Sequence, residues 1–313
     1  MAKLEKIEVG LLRATSYGPE AICQWVDTLF AGVGFRPASG SHVLLKPNLV
    51  APACRNDLSS THPEFVGGVA RWFLDHGCKV AVGDSPASGS CQHAMAIVGL
   101  ADIVQKLGLE VAPFTQTVRT TLGCGVAVSI CRDALDCDVL VNLPKVKSHA
   151  LVRVTLAVKN YFGVIKGWRK AMAHQIHGGQ DGASFRDILC DLPQVLPPGI
   201  SVCDGIEAMH VTGPMGGKPY PLHMMGCSVV PHALDTSLLK ILGVLPSQSP
   251  LWVKLAERGV VGNNLSELAF PLSSPAELAV DNFIVPSHLN DIRFGFRHVV
   301  KSVTNRLKLR LGL

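Results

Sequence analysis

Short runs of Val, Ile and Leu, each broken by Gly, Pro or a charged residue, recur through the first half of the chain. Apolar runs of this length are typical of strands that are buried on both faces of a parallel sheet. The predicted strands are KIEVGLL (6–12), HVLLK (42–46), KVAVG (79–83), GVAVSI (125–130), DVLVNL (138–143) and, in the second half, GISVC (199–203).

Segments with helical periodicity separate these runs. The clearest predicted helix starts at Thr61, where T-H-P-E supplies an N-cap, a first-turn proline and a Glu three residues on, and it ends at Gly77. Further helices are predicted near 233–243 and 249–259. The alternation of strands and helices predicts an α/β fold, a doubly wound, mostly parallel sheet with helices on both faces.

The length of the chain bears on its domain organisation. With 313 residues, 48% of them hydrophobic, it can bury a full core. We predict one α/β domain over residues 1–280, with a subdivision near 165, where the pattern loosens, left as an alternative. Residues 281–313 are predicted to form a basic, amphipathic C-terminal segment.

Polar residues follow the predicted strands at the points where ligands bind in parallel sheets. The segments concerned are KPNLV, GDSPASGS, NLPKVKSH and CDGIEAMHVTGPMGGKP, all of which we interpret as loops. If the sheet forms, one edge of it collects Lys46, Asn48, Asp84, Ser85, Lys145, Lys147, His149 and Asp204.

The stretch from 142 to 160 is strongly basic, because it holds three Lys, one Arg and one His and no Asp or Glu. A lysine beside an apolar core needs a partner, since an unpaired buried ammonium costs several kcal/mol. Each lysine taken alone is explained by solvent or by pairing with Asp84 or Asp204, whereas the set favours a site for a carboxylate or phosphate. The GDSPASGS loop, with a helix N-terminus near 88–91, could hold an oxyanion or be a plain turn.

Two side chains of the basic stretch suit acid–base or covalent chemistry. His149 titrates near neutral pH, and neighbouring lysines would keep it uncharged. Lys159 lies on a helix that we predict to start at Ser148, and burial would make its amine nucleophilic. Over ten residues of regular helix, however, the two side chains would point in different directions.

The segment GWRKAMAHQIHGGQDGASF is rich in Gly, His and Lys and is predicted to be a loop over the carboxyl ends of the strands. His174 and His177 lie three residues apart in it, a spacing that can share one metal ion on a helix. A solvated loop is the alternative interpretation.

Hydropathy, cysteine spacing and the nucleotide-binding patterns limit the classes of function that the sequence allows. No apolar run reaches the roughly 18 residues of a membrane span, and MAKLEKIEVG lacks the features of a secretory signal, so we expect a cytoplasmic protein. Ten cysteines include no C-x-x-C pair, so no iron–sulfur motif is encoded locally. Walker and G-x-G-x-x-G patterns are missing as well. We expect a small anionic metabolite rather than nucleic acid as the ligand.

The C-terminal stretch carries a separate charge signal. From Asp291 to Leu313 it contains six Lys or Arg and one Asp, which gives +5. Apolar and basic residues alternate at roughly helical spacing, a pattern that fits an anionic membrane or a protein partner. A helix packed on the domain is the alternative.

Several of these segments together resemble one known family. LLKPNLV, THPEFV, VGDSPAS, VNLPKVKSHALVRVTLAVKNYFGVIKG, FRDILCDL and CDGIEAMHVTGPMGGKP occur in the order and spacing of the domain-of-unknown-function 362 family, over roughly residues 40 to 245. Many members of that family carry an additional ferredoxin-like iron–sulfur segment.

The stretch from Lys147 to Lys159 is also similar, more distantly, to nickel-pincer lactate racemases, in which a His is followed ten residues later by a Lys. That resemblance implies His149 as the acid–base residue and Lys159 as the anchor of a nickel-pincer nucleotide. The racemases' Asp-His-Thr-Arg-Pro stretch has no counterpart, and KPNLV stands near its place.

The sequence thus predicts an enzyme that binds a small carboxylate or phosphate and moves a proton beside it, giving isomerisation or epimerisation. Predicted catalytic residues are His149, Lys159 and Asp84. Predicted ligand-binding residues are Lys46, Asn48, Ser85, Lys145, Lys147, Asn160 and Asp204. Two alternatives stay open: a redox accessory protein with a metal or iron–sulfur cluster, and a non-catalytic module for an anionic ligand or lipid.

Overall fold

The computed structural model describes residues 6–50, 52–87, 89–166 and 183–289. The strands in chain order are β1 (Ile7–Glu8), β2 (Gly10–Arg13), β3 (His42–Pro47), β4 (Lys79–Val82), β5 (Glu110–Val111), β6 (Thr117–Thr121), β7 (Ala127–Cys131), β8 (Val139–Leu143), β9 (Lys145–His149), β10 (Arg153–Thr155), β11 (Gly199–His210), β12 (Lys218–Tyr220), β13 (Met224–Ser228) and β14 (Leu268–Ala269).

The α-helices of the described residues are α1 (Pro19–Gly32), α2 (Pro63–Asp75), α3 (Cys91–Val98), α4 (Leu100–Leu107), α5 (Ala157–Asn160), α6 (Ala183–Asp191), α7 (Pro231–Ile241) and α8 (Pro250–Glu257). A 3-10 helix, Tyr161–Val164, follows α5 directly.

The main sheet has the strand order β10-β9-β11-β8-β3-β4-β5. The five pairings from β9 to β5 along this path are parallel, and only the edge pair β10–β9 is antiparallel. β12 and β13 add to β11 in antiparallel fashion, and β2 pairs with β13. The prediction of a mostly parallel sheet is therefore confirmed.

Successive side chains of the central strands alternate between two apolar layers, as the pleat requires. Val43 and Val141 pack into a core formed with α1 to α4, whereas Leu44 and Leu140 pack into a second core with α6 and α8. A third core joins β2, β9 and β11 to α7. Helices cover both faces, as predicted for a doubly wound sheet.

Three local predictions are wrong. GVAVSI does form a strand, β7, but among the described residues β7 pairs with β6 in a two-stranded hairpin, with one isolated bridge from Ile130 to Ile165, and is not part of the main sheet. NLPKVKSH is not a loop, because Pro144 only interrupts the chain between β8 and β9. CDGIEAMH likewise belongs to the twelve-residue strand β11. The last two were interpreted as loops because they are polar, but tertiary contacts bury their polar groups.

The helix expected from Ser148 is also absent, since Ser148 lies in β9 and α5 begins at Ala157. The helix predicted from Thr61 exists as α2, with His62 rather than Thr61 as its N-cap. Thr61 does not cap the helix because its Oγ1 accepts a hydrogen bond from the Asn48 N–H and donates one to the Leu143 carbonyl.

β11 comes from the second half of the chain and pairs with β8 and β9 from the first half, so both sides of residue 165 contribute to one sheet. The subdivision near 165 stays a prediction. Residues 167–182 of the Gly- and His-rich stretch, with His174 and His177, and the basic stretch 291–313 lie outside the described residues. The last three residues of the predicted loop, 183–185, are described and begin the helix α6 instead. Among the helices that are described, none has the length and apolar character to cross a bilayer.

Candidate functional site

Most of the residues predicted for the site lie inside the protein, at and beyond the carboxyl ends of β3, β4 and β8. The buried members of the predicted set are Lys46, Asn48, Asp84, Ser85, Lys145, Lys147, His149, Asn160 and Asp204. Buried ammonium and carboxylate groups require partners, so the contacts of each one decide what it can do.

Lys46 and Asp84 form the first ion pair. They lie at the ends of β3 and β4, which are parallel neighbours, and the Lys46 Nζ is 2.9 Å from the Asp84 Oδ1. The Lys46 Nζ also donates to its neighbour's carbonyl, Pro47 O, at 3.2 Å, while Asp84 Oδ2 accepts from the Leu49 N–H at 2.8 Å. Each charge is thus compensated within the protein.

Gly163, in the 3-10 helix after α5, closes over this pair. A Cβ at this position would lie 2.2 Å from both the Lys46 Nζ and the Asp84 Oδ1, so only glycine fits. Its carbonyl accepts from the Ser85 N–H at 3.2 Å. The Gly of KNYFG is therefore required by a close approach, which the sequence could not show.

Lys145 and Asp204 form the second ion pair, between β9 and β11. The Lys145 Nζ lies 2.9 Å from Asp204 Oδ2, and it donates to the Tyr17 hydroxyl at 3.0 Å. Tyr17 in turn donates to Asp204 Oδ1 at 2.8 Å. Burial, followed by the charge of Asp204, raises the pKa of Tyr17 far above its ordinary value, so the phenol stays neutral.

His62 completes this second group. Its backbone N–H donates to Asp204 Oδ2 at 3.0 Å, and its ring stacks on Tyr17 with 3.7 Å between centroids. Its Nδ1 accepts from the Glu64 N–H at 3.2 Å, as an N-cap does. Burial, helped by the charge of Lys145, lowers the pKa of His62 to about 4.

Lys147 differs from the other two lysines because, within the described part of the chain, it forms no salt bridge. Its Nζ donates to Asn48 Oδ1 at 3.0 Å and to the Ser59 carbonyl at 2.5 Å. The side chain is fully buried, and this burial lowers its pKa from 10.5 to about 7, with Lys145 acting in the same direction and Asp57 opposing.

Three asparagines extend from Lys147 into the sheet. The Asn48 Nδ2 donates to Asn160 Oδ1 at 2.7 Å, and the Asn160 Nδ2 donates to Asn142 Oδ1 at 2.8 Å. Asn142 donates onward to Ala157 O and to the Ser201 hydroxyl. Because every amide is used, the carbonyl oxygen of Asn48 is held towards Lys147.

His149 ends β9. Residues 145, 147 and 149 share one face of this strand, because side chains alternate. The ring is buried, and its Nδ1 accepts from the Leu151 N–H at 3.0 Å, so a neutral ring carries its proton on Nε2. The structure thus aligns Lys145, Lys147 and His149 in one row.

Lys159 belongs to a different environment. Its Nζ lies 4.7 Å from the centre of the Phe162 ring and 5.5 Å from that of Phe185 on α6. It lines a cavity of about 10 Å³ together with Asp235. A cavity of this size holds at most one water molecule, so the described residues offer no room for a nucleotide cofactor there. Its role as an anchor stays a prediction, and no step is derived through such a group.

Asp235 of α7 holds the helix that carries Lys159. Its carboxylate accepts from the backbone N–H groups of Ala157 at 2.7 Å and Val158 at 3.1 Å. Burial raises the pKa of Asp235 to about 7. Nothing near 235 in the sequence signals this role, because its partners lie 78 and 77 residues away.

Sequence reasoning also missed Tyr17 and His62, although His62 lies within the quoted motif T-H-P-E. As for metals, the described residues contain no group of three or more His, Cys, Asp or Glu side chains that could hold an ion. His174 and His177 lie outside that part of the chain.

Comparison with known proteins adds a family. Residues 43–240 match the model of the domain of unknown function DUF362. The chain is 34% identical over 306 residues to the thylakoid-associated protein sll1697 of Synechocystis, a match that covers 96% of this chain and 95% of that protein.

Among solved structures, the lactate racemase apoprotein of Thermoanaerobacterium thermosaccharolyticum superposes with a TM-score of 0.41 and 13% identity. The match covers 64% of this chain and about half, 51%, of the racemase. A similarity of this size assigns no activity. The family match covers well over half of the 313 residues and the motifs quoted above, and the chain belongs to the DUF362 family.

Proposed function

We propose that the protein is an enzyme that binds a small carboxylate or phosphate metabolite beside β9 and transfers a proton on it, with Lys147 as the acid–base group. The observation that carries the proposal is the environment of Lys147, a fully buried lysine with a pKa of about 7 and no salt bridge among the described residues. The expected reaction class is isomerisation or epimerisation next to the carboxylate.

Charge compensation favours Lys147 over its neighbours. Lys46 and Lys145 each have a carboxylate oxygen at 2.9 Å, so their charges are compensated and hold neighbouring strands together. Lys147 has two neutral oxygens as partners instead. A group with a pKa near the working pH is populated in both forms, which suits proton transfer in either direction.

The hydrogen-bond count around Lys147 supports the same view without reference to its pKa. An ammonium group has three N–H donors, whereas a neutral amine has two and a lone pair. Two acceptors face the Nζ, Asn48 Oδ1 and Ser59 O. The neutral amine is therefore fully satisfied, and its lone pair is left to accept a proton.

The position of Lys147 in the row on β9 gives the neighbours their proposed roles. Lys145 and His149 flank it on the same face of the strand. The N–H donors of the row contact the carboxylate of the substrate, and the ammonium that forms when Lys147 takes the α-proton stabilises the negative charge that develops. His149 supplies a second proton-transfer group, as epimerisation requires one on each side of the carbon.

Deuterium exchange tests the proposal directly. The protein is incubated in D₂O with lactate, malate, glycerate and 2-phosphoglycerate, and deuterium at the α-carbon is followed by mass spectrometry. We expect exchange into at least one of these compounds, and we expect Lys147→Met to slow it by roughly 10²- to 10⁴-fold. Lys106→Met is the matched control, because Lys106 is exposed on α4.

Exchange at the wild-type rate in Lys147→Met would refute the role of Lys147. If none of the four compounds exchanges and none binds in calorimetry, the proposed metabolite class is wrong.

A membrane-surface role is the second candidate, favoured by the name of the thylakoid-associated relative and by the charge of +5 over residues 291–313. We expect the full chain to sediment with vesicles of phosphatidylglycerol and phosphatidylcholine, and to lose most of that binding when the six Lys and Arg of the stretch are changed to Gln. Equal sedimentation of both forms, or none of either, would dismiss this role.

A further inference from the structure

We infer that His62 is a second ligand-contacting group of this site, a neutral imidazole whose Nε2–H donates a hydrogen bond to an oxygen of the bound anion. The inference rests on the proposed function and adds to it the residue that would meet the ligand from the solvent side.

The tautomer of His62 follows from its position at the start of α2. The Nδ1 accepts a hydrogen bond from the Glu64 N–H at 3.2 Å, so it cannot carry a proton of its own. In the neutral ring the proton is therefore on Nε2. This assignment of the tautomer depends on the Glu64 backbone N–H, a donor whose own protonation does not change.

The ring of His62 is held in place from two sides. Its face stacks on Tyr17 at 3.7 Å with 12° between the planes, and Tyr17 is bonded to both Lys145 and Asp204. Its backbone N–H donates to the same Asp204 carboxylate. A donor that is fixed before the ligand arrives loses little entropy on binding.

Access distinguishes His62 from the charged groups of the cluster, because Lys145, Lys147 and Asp204 are buried, whereas His62 is partly exposed. Tyr17 is partly exposed as well, but its hydroxyl is already bonded to Lys145, Asp204 and the Glu207 N–H. In the described part of the chain the Nε2 of His62 has no hydrogen-bond partner, whereas the Tyr17 hydroxyl, the Lys145 ammonium and the Asp204 carboxylate beneath it are bonded to one another. His62 is thus the polar donor at the boundary between this cluster and the solvent.

The segment that carries His62 also lies over the amine of Lys147. Ser59, three residues earlier, accepts from Lys147, and His62 itself contacts Asp204, the partner of Lys145. Lys145 and Lys147 are two residues apart on one face of β9, about 7 Å along the strand. The segment 59–62 therefore places His62 beside Lys145 and Ser59 beside Lys147, and the inference puts one oxygen of the anion at His62 and the α-carbon near Lys147.

The charge state of His62 suits this role. Burial and the neighbouring Lys145 lower its pKa to about 4, against the opposing effect of Asp204. At neutral pH the ring is therefore an uncharged donor, which can stabilise an oxyanion without competing for the proton that Lys147 takes.

Nitrogen NMR of the full chain labelled with ¹⁵N-histidine tests this inference. Long-range ¹H–¹⁵N correlations identify the tautomer of each ring, and the His62 signals are those missing from His62→Gln. We expect the Nε2–H tautomer at pH 7, no protonation down to about pH 5, and a shift of the Nε2 resonance when lactate or inorganic phosphate is added to saturation.

Calorimetry with the same two probes supplies the second measurement. His62→Gln should weaken the probe that binds by about tenfold or more, because a hydrogen bond to a charged group is lost. His42→Gln, a change at an exposed position at the start of β3, should leave the affinity unchanged.

An Nδ1–H tautomer, or an unshifted Nε2 signal while calorimetry shows binding, overturns the inference about His62 and leaves the proposed function standing. Failure of both probes to bind the wild type overturns the inference about His62, and the proposed function is overturned with it only if malate, glycerate and 2-phosphoglycerate also fail to bind and none of the four compounds exchanges.

Discussion

Two kinds of buried lysine occur at the carboxyl edge of the sheet. Lys46 and Lys145 are each paired with an aspartate at 2.9 Å, and we call them the paired lysines. Lys147 is bonded to an amide oxygen and a backbone carbonyl, and we call it the amide-bound lysine. All three are almost fully buried.

The difference between them shows that burial alone does not mark a reactive lysine. A buried ion pair compensates its own charges, and its two partners mainly hold strands together. A buried lysine with neutral partners has no such compensation, and its pKa falls into the physiological range. The proposed acid–base role of Lys147 therefore depends on the absence of a carboxylate partner among the described residues, rather than on the gathered positive charge.

The largest effect is expected from breaking a paired lysine. Lys145→Ala leaves Asp204 buried without a counterion and should lower the free energy of unfolding by about 3–5 kcal/mol. Urea denaturation at pH 7 measures it. The double change Lys145→Met with Asp204→Leu should recover much of this loss, because it removes both charges. A loss below about 1 kcal/mol in Lys145→Ala would show that this pair is solvated.

Crowding the other ion pair should have the next largest effect. Gly163→Ala places a methyl group 2.2 Å from the Lys46 Nζ and Asp84 Oδ1, so the pair or the 3-10 helix must move. We expect a loss of up to about 3 kcal/mol in urea denaturation.

Gly18→Ala adds the same methyl group where the nearest atoms are 3.8 Å away, and serves as the size control. It should cost less than about 1 kcal/mol, even though Gly18 precedes α1 as its N-cap. Equal losses in the two variants would mean that the close approach at Gly163 is relaxed in solution.

The amide-bound lysine, Lys147, should affect how the free energy of unfolding depends on pH. Because its folded pKa of about 7 lies below 10.5, the unfolded chain binds more protons between these values, and its contribution to stability rises with pH across that window. Lys147→Met removes this contribution, at a net cost of about 1–2 kcal/mol at pH 7 from the two unpaired acceptors.

The stability difference between wild type and Lys147→Met, measured in urea at pH 6.5, 8 and 9.5, should therefore grow with pH. A difference that stays constant would place the pKa of Lys147 outside this range. Lys106→Met, on the exposed face of α4, should show no trend.

The substitution of Asp235 is expected to have the smallest effect on stability. The stability contribution of Asp235 changes with pH in the direction opposite to that of Lys147. The folded pKa of Asp235, about 7, lies above the ordinary value of 3.8, so the folded state binds more protons between these values, and the stability contribution is lost as pH rises from about 4 to 7. Asp235→Asn should remove that slope while changing stability by only about 1 kcal/mol at pH 5.

Thermal unfolding of the two proteins at pH 4.5, 6 and 7.5 measures this. Asp102→Asn, which breaks only an exposed pair with Arg55, is the control and should keep the wild-type slope. An unchanged slope in Asp235→Asn would contradict the raised pKa.

Much of the fold could be predicted because several of the strands are mostly apolar. HVLLK and KVAVG lie side by side in the sheet as β3 and β4, and Lys46 and Asp84 meet because parallel neighbours end at one edge. The segments after β8 and after GISVC could not be predicted, since their strands carry Lys, Ser, His and Asp. Those residues look solvated until the partners from elsewhere in the chain are known.

The sequence alone determined the α/β class, the family motifs and the set of basic residues near one sheet edge, since these depend on local apolar periodicity and on the parallel order of strands. Only the tertiary structure decided which lysine is compensated. The partners of Lys145 and Lys147 lie 59, 88, 99 and 128 residues away, and long-range packing brings them within 3.0 Å. Electrostatic energy depends on such distances in a desolvated interior, and a linear pattern does not contain them.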